Sequence, residues 1–161
     1  MAAHDSLAEV SKAGAFVRSA SSFRNFVTED GEFPVAKGRY LLYVSKACPW
    51  ASRCLFVLGL KGIGRDVIDV AVVSPLWDYT NKGVDEHRGW VFDPAYPGAT
   101  PDPVFGASTL RSVYEQAVTS GEPPKKFTVP VLLDTATRRI VNNESSEILR
   151  SEFAGGISHL V

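Results

Sequence analysis

The chain is predicted to fold as one α/β domain, a mixed four-stranded sheet with helices on its faces, preceded by a long N-terminal arm and interrupted by one long loop insertion. Three observations predict it. Two short, nearly continuous apolar runs, at 39–46 and 67–73, flank a stretch with helical spacing, which spells β-α-β. A third run at 127–133 is followed by a turn and a fourth at 139–141, which spells an antiparallel hairpin. Finally, 161 residues of which 45% are hydrophobic and 22% charged supply enough material for a single core.

Residues 1–38 mix Ala, Ser, Gly and charge without a sustained period and read as an arm wrapped onto the domain. The first strand, 39–46, is rich in aromatic and branched residues and bounded by Gly38 and Pro49, as suits a strand buried on both faces. From 49 to 60, Ala51, Leu55, Leu58 and Gly59 recur at helical spacing; Pro49 fits a first helical turn, and Gly62 and Gly64 stop the run. Cys48 then stands at or beside the N-cap. The strand at 67–73 should lie parallel to the first through a right-handed crossover. Residues 74–107 hold Pro75, Pro94, Pro97, Pro101 and Pro103 and show neither period; loops this long are usually functional. A helix over 108–120 follows from Leu110, Val113, Tyr114 and Ala117, with Ser108 as N-cap and Gly121 as stop. The hairpin turns at Asp134-Thr135-Ala136-Thr137, and Asn142-Asn143 leads into a last helix over 144–153, with Ile148 and Leu149 inward. The order β-α-β-α-β-β-α over 39–153 is a thioredoxin-like plan, and 154–161 is a short tail.

Composition narrows the functional classes. A net charge of −1 with both signs interspersed offers no broad footprint for nucleic acid or an acidic membrane, so neither is expected as a partner. No apolar stretch approaches the roughly 18 residues of a membrane helix, and the N-terminus lacks a signal-peptide core, which makes a reducing cytoplasm the expected location. Two cysteines make no disulfide framework. His4, His87 and His159 fall in no metal-ligand spacing, and Gly59 to Gly64 lacks the preceding strand of a phosphate loop, so no metal and no nucleotide is expected.

Cys48 is the candidate for chemistry. A thiol where a strand gives way to a helix faces the positive end of the helix dipole, which favours thiolate and hence nucleophilic character. Cys54, six residues on, is read as core; the pair makes neither a Cys-x-x-Cys motif nor half of a metal site.

Five separated blocks carry a resemblance. They are Gly38 to Arg53, Arg88-Gly89-Trp90-Val91-Phe92, Pro97-Gly98-Ala99, Phe127-Thr128-Val129-Pro130-Val131-Leu132, and Ile140-Val141-Asn142-Asn143-Glu144-Ser145-Ser146-Glu147-Ile148. Together they resemble the glutathionyl-hydroquinone reductases, the Xi class of the glutathione transferase superfamily, from about residue 14 to about residue 153. Members continue into an all-helical C-terminal domain and can form homodimers; this chain ends at Val161, so the expectation is a fold without that domain and with apolar surface left exposed.

The resemblance implies glutathione as co-substrate and glutathionylated quinols as substrates. Cys48 would attack the thioether sulfur, release the hydroquinone and form a mixed disulfide that a second glutathione resolves. It also implies a cis bond between Val129 and Pro130, with the main chain of Val129 pairing with the cysteinyl part of glutathione. Glu144 and Ser145 would hold the γ-glutamyl carboxylate, or simply cap the helix together with Asn143. Trp90 would contact glutathione, or serve as a hydrophobic plug under its loop. Lys126 stands where many members carry arginine and would bring charge to a glutathione carboxylate without arginine's bidentate fork, or remain a solvated lysine. Trp50 is read as packing at the helix start and Arg53 as surface. Two other functions stay open: conventional glutathione conjugation, and a binding-only or inactive domain.

Overall fold

The computed structural model describes residues 14–15, 20–118 and 126–154. His4, His159, Gly121 and the tail after Ala154 lie outside the described residues, as does most of the arm before Ala20. The order is β1 (Tyr40–Val44), α1 (Pro49–Leu60), β2 (Ile68–Val72), β3 (Trp77–Tyr79), β4 (Arg88–Trp90), α2 (Leu110–Ala117), β5 (Val131–Asp134), β6 (Arg139–Asn142) and α3 (Ser145–Ala154). The four-stranded sheet runs β2-β1-β5-β6, with β1 parallel to β2 and both other pairs antiparallel, the mixed thioredoxin-like arrangement expected.

The two central strands explain the core. Side chains alternate along a strand, so a strand whose every residue is buried is covered on both faces. Every residue of β1 and of β5 is buried. The edges are guarded differently. On β2, Val70 donates its N–H to Asp69 Oδ1 at 2.7 Å and gives its carbonyl to Arg65, while Val72 bonds Thr100 through both N–H and C=O. On β6, the arm does the work: Asn25 N–H donates to Val141 O at 3.0 Å, Asn143 N–H to Phe23 O at 3.1 Å, and Arg24 pairs with Glu147. An edge whose polar groups are occupied offers no template for a foreign strand.

α1 begins and ends where proline and glycine require. Pro49 opens it because a first-turn N–H has no intrahelical partner to lose, and Gly62, at φ +68°, takes the left-handed conformation past its end. Its buried stripe is Ala51, Cys54 and Leu58, rather than one including Leu55 and Gly59. Phe56 and Leu60 are 69% and 70% exposed, so apolar surface does lie open on this helix. Phe56 lines a groove of about 630 Å³ together with Lys46, Arg53, Val57 and Leu149. Trp50 is also exposed rather than packed at the helix start, and the Arg53 guanidinium lies over its ring at 4.3 Å.

Three expectations need correction. Thr109, not Ser108, caps α2, accepting from Ser112 N–H at 3.1 Å; the carbonyl of Ser108 is engaged by Phe92 N–H. β5 starts at Val131 rather than 127, because Pro130 has no N–H to give a ladder. The long segment 74–107 is not structureless: β3 and β4 pair antiparallel, Trp77 opposite Trp90. Strands of three half-exposed residues are too short to display a period.

Asp134 and Arg39 tie the hairpin turn to the start of β1. Arg39 donates from Nε and Nη2 to the two carboxylate oxygens at 2.8 and 2.7 Å, and Ala136 N–H and the Thr137 hydroxyl donate as well. Burial alone pushes the Asp134 carboxyl up, but the Arg39 fork and these donors hold it below its ordinary 3.8. A depressed folded value contributes stability above 3.8 that decays as pH falls through the lower folded value. Asp134→Asn is therefore expected to cost about 2 kcal/mol at pH 7. In thermal melts that cost should shrink as pH falls toward 2; an equal cost at both ends would contradict the assignment.

Candidate active site

Cys48 ends the turn between β1 and α1 in an extended conformation, φ −95° and ψ 115°. Its N–H donates to Ser45 O at 3.1 Å and its carbonyl accepts from both the N–H and the hydroxyl of Ser52, so the main chain on either side is pinned. The side chain makes no capping bond to the helix. It is half-buried, and its Sγ–H points across to the carbonyl of Val129 at 3.6 Å, joining residues 81 positions apart. Cys54, by contrast, is fully buried in the core.

Val129 and Pro130 are joined by a cis peptide bond. Val129 is 5% exposed, and its N–H bonds no group among the described residues. A main-chain N–H and C=O presented beside a thiol is the arrangement an extended peptide can pair with as an added strand.

The start of α3 forms a second locus. Glu144 occupies the cap: its carbonyl accepts from Glu147 and Ile148 N–H at 3.0 and 2.9 Å, while its carboxylate accepts from Ser146 and from the arm's Ser21 hydroxyl at 3.0 Å. Its own N–H donates to Asn142 Oδ1 at 2.7 Å. Capping by Asn143 and Ser145 is therefore not what is found. The Asn143 side chain turns instead toward Phe23 and Tyr114. Ser145 Oγ is buried and, among the described residues, has no hydrogen-bond partner. A buried hydroxyl without a partner is costly unless something else satisfies it, and here it stands in the first turn of a helix, where anions are favoured.

Direct contact thus joins Cys48 to Val129, whereas the other candidates are placed by different neighbours. Trp90, in β4, is half-buried against the core with its ring edge-on to Trp77 at 5.5 Å. Lys126 is partly buried, and desolvation lowers its pKa, making its charge more costly and an anionic partner more valuable. Next to it, the Phe127 ring is met edge-on by Tyr114 and by His87, at 5.6 and 5.4 Å. Tyr114 was legible only as a core position; its wholly buried phenol is pushed up to about 12 by that burial and stays a donor. Among the described residues no group of His, Cys, Asp and Glu could hold a metal, and no helix is long and apolar enough to cross a membrane.

Comparison with known proteins gives these positions a context. Residues 47–151 match the model of the glutathione S-transferase N-terminal domain. The chain is 43% identical over 148 residues to the glutathionyl-hydroquinone reductase YqjG of Escherichia coli, an alignment covering 87% of this chain and 42% of that protein. Among solved structures, the glutathione S-transferase Xi of Phanerochaete chrysosporium superposes with a TM-score of 0.74 at 44% identity, over 89% of this chain and 45% of that one. The glutathione-bound structure of YqjG superposes with a TM-score of 0.72 at 39% identity, over 84% and 43%. The chain therefore spans about two-fifths of the length of the relatives it matches.

Proposed function

The chain belongs to the glutathione S-transferase N-terminal-domain family, and from that premise we propose that it binds glutathione and uses Cys48 to reduce glutathionyl-hydroquinones. The observation that carries the reading is the Cys48 sulfur set at a helix start, 3.6 Å from the carbonyl of Val129, whose own N–H has no partner among the described residues. A tripeptide laid along Val129 as an added strand brings its sulfur to Cys48. Its γ-glutamyl carboxylate reaches the first turn of α3, where Ser145 supplies the hydroxyl left unsatisfied. Lys126 and Trp90 are assigned to the same ligand, the first by charge and the second by contact.

The reaction follows from the sulfur. The Cys48 thiolate attacks the glutathionyl sulfur of the thioether, an S–S bond forms, and the bond from sulfur to the ring carbon breaks. The ring carbon takes that electron pair and a proton and leaves as the hydroquinone. A second glutathione thiolate then attacks the mixed disulfide, giving glutathione disulfide and regenerating Cys48. The net change reduces the ring carbon by two electrons and oxidises the thioether sulfur and one glutathione thiol sulfur by one electron each to the disulfide, and needs no further reductant. The cytoplasm, where glutathione keeps thiols reduced, is the proposed setting.

Treatment with glutathione disulfide should add one glutathione to Cys48, read by peptide mass spectrometry, and glutathionyl-hydroquinone with glutathione should release hydroquinone. No adduct, together with conjugation of glutathione to an electrophile, would establish a conventional transferase instead. Ser145→Ala is expected to weaken glutathione binding about tenfold while leaving the rate of Cys48 alkylation by iodoacetamide unchanged. Equal affinity in the two proteins, measured by titration calorimetry, would remove Ser145 from the site.

A further inference from the structure

Resting on the glutathione reading, we infer that Tyr114 is a positioning residue that sets the spacing between the two segments holding the tripeptide. The β5–β6 ladder ends at the pair Leu132 and Asn142, so it stops short of both segments. Beyond that point Tyr114 replaces it. The hydroxyl accepts from Asn143 Nδ2 at 3.1 Å and donates to the carbonyl of Thr128 at 2.9 Å. Asn143 immediately precedes Glu144 and Ser145; Thr128 immediately precedes Val129 and Pro130. One buried oxygen therefore brackets the thiol-side clamp and the carboxylate-side cradle.

The bracket has little freedom to shift. The Tyr114 ring is fully buried and met edge-on by Phe23 at 5.8 Å and by Phe127 at 5.6 Å. The other half of the Asn143 amide is also engaged, accepting from Phe23 N–H at 3.1 Å, so the arm fixes the orientation of the group that Tyr114 grips. With the hydroxyl removed, a buried donor on Asn143 and the Thr128 carbonyl lose a partner, and relaxation changes the gap between the segments. A ligand that spans both is affected; one that uses only the Val129 end is not, because reacting groups misplaced by small distances lose rate steeply.

The test compares two disulfides of different reach. Rates of mixed-disulfide formation on Cys48 are measured by mass spectrometry with glutathione disulfide, and with the disulfide of cysteinylglycine, which lacks the γ-glutamyl group. The wild-type chain is expected to react faster with the first. Tyr114→Phe should lower that preference about tenfold while the rate with the smaller disulfide stays within about twofold. If both rates fall together, or neither changes, the positioning role is overturned. A wild-type chain without preference would overturn the glutathione reading itself, and the inference with it. Should Tyr114→Phe fail to fold by circular dichroism, Asn143→Ala cuts the same bracket from the other side and carries the same expectations.

Discussion

Cys48→Ser is expected to abolish release of hydroquinone from a glutathionyl-hydroquinone, a fall of at least about a thousandfold, while glutathione affinity stays within about twofold. Serine matches the shape of cysteine but cannot carry a disulfide, so the proposed covalent step is lost while the contacts proposed for Val129 and Ser145 remain. The same change should leave the fold intact or firmer. Cys48 is the N-cap of α1 yet makes no side-chain capping bond, and serine is among the favoured capping residues. A melting temperature equal to or above that of the wild type would therefore accompany lost turnover, excluding unfolding as the cause. Turnover surviving in Cys48→Ser would reject the thiol mechanism. Appearance of conjugating activity would show that a hydroxyl at this position turns the site toward stabilising the thiolate of bound glutathione instead.

The elements that the sequence made legible are those with local punctuation. Pro49 and Gly62 bracket α1, whose observed span, Pro49–Leu60, is the one expected. The apolar runs of β1 and β2 and the turn before Arg139 likewise announce themselves. What stayed hidden depends on long-range contact. The three-residue strands of β3 and β4 exist because Trp77 and Trp90 face each other, which no window along the chain displays. The approach of Cys48 to Val129 spans 81 residues and was anticipated only through resemblance. Tyr114 and Asn143 carried the marks of a core position and of a capping residue; their shared hydrogen bond appears only once α2 is laid beside the end of β6. Side-chain periodicity says which face is buried, but not which buried hydroxyl meets which amide.

Asp102 is the extreme case of a residue silent in sequence, and Asp102→Ala is expected to cost about 4 kcal/mol of folding stability. It sits among prolines in the long segment after β4, 4% exposed, and forms no salt bridge among the described residues. Its carboxylate is held by neutral donors. Oδ1 accepts from the Tyr43 hydroxyl at 2.6 Å and from Val104 N–H at 3.1 Å. Oδ2 accepts from Phe105 N–H at 3.1 Å and Ala107 N–H at 3.0 Å. Tyr43 belongs to the central strand β1 and is itself wholly buried, its ring edge-on to Phe92, so Asp102 fastens the turn before α2 to the middle of the sheet. Alanine leaves four donors without an acceptor; water entering the space vacated offsets part of the loss, which is why the cost is less than four full desolvation penalties of about 1–3 kcal/mol each. In a chain of this length the change corresponds to a melting point lower by about 8–16 °C. Asparagine separates charge and acceptor count from volume. Whichever way its amide turns, an NH2 group replaces one oxygen and faces a main-chain N–H, so Asp102→Asn should still cost about 2 kcal/mol despite its near-identical shape. Denaturant titration at neutral pH measures both. A loss below about 1 kcal/mol for the alanine variant would mean that the turn is held by its own chain rather than by Asp102.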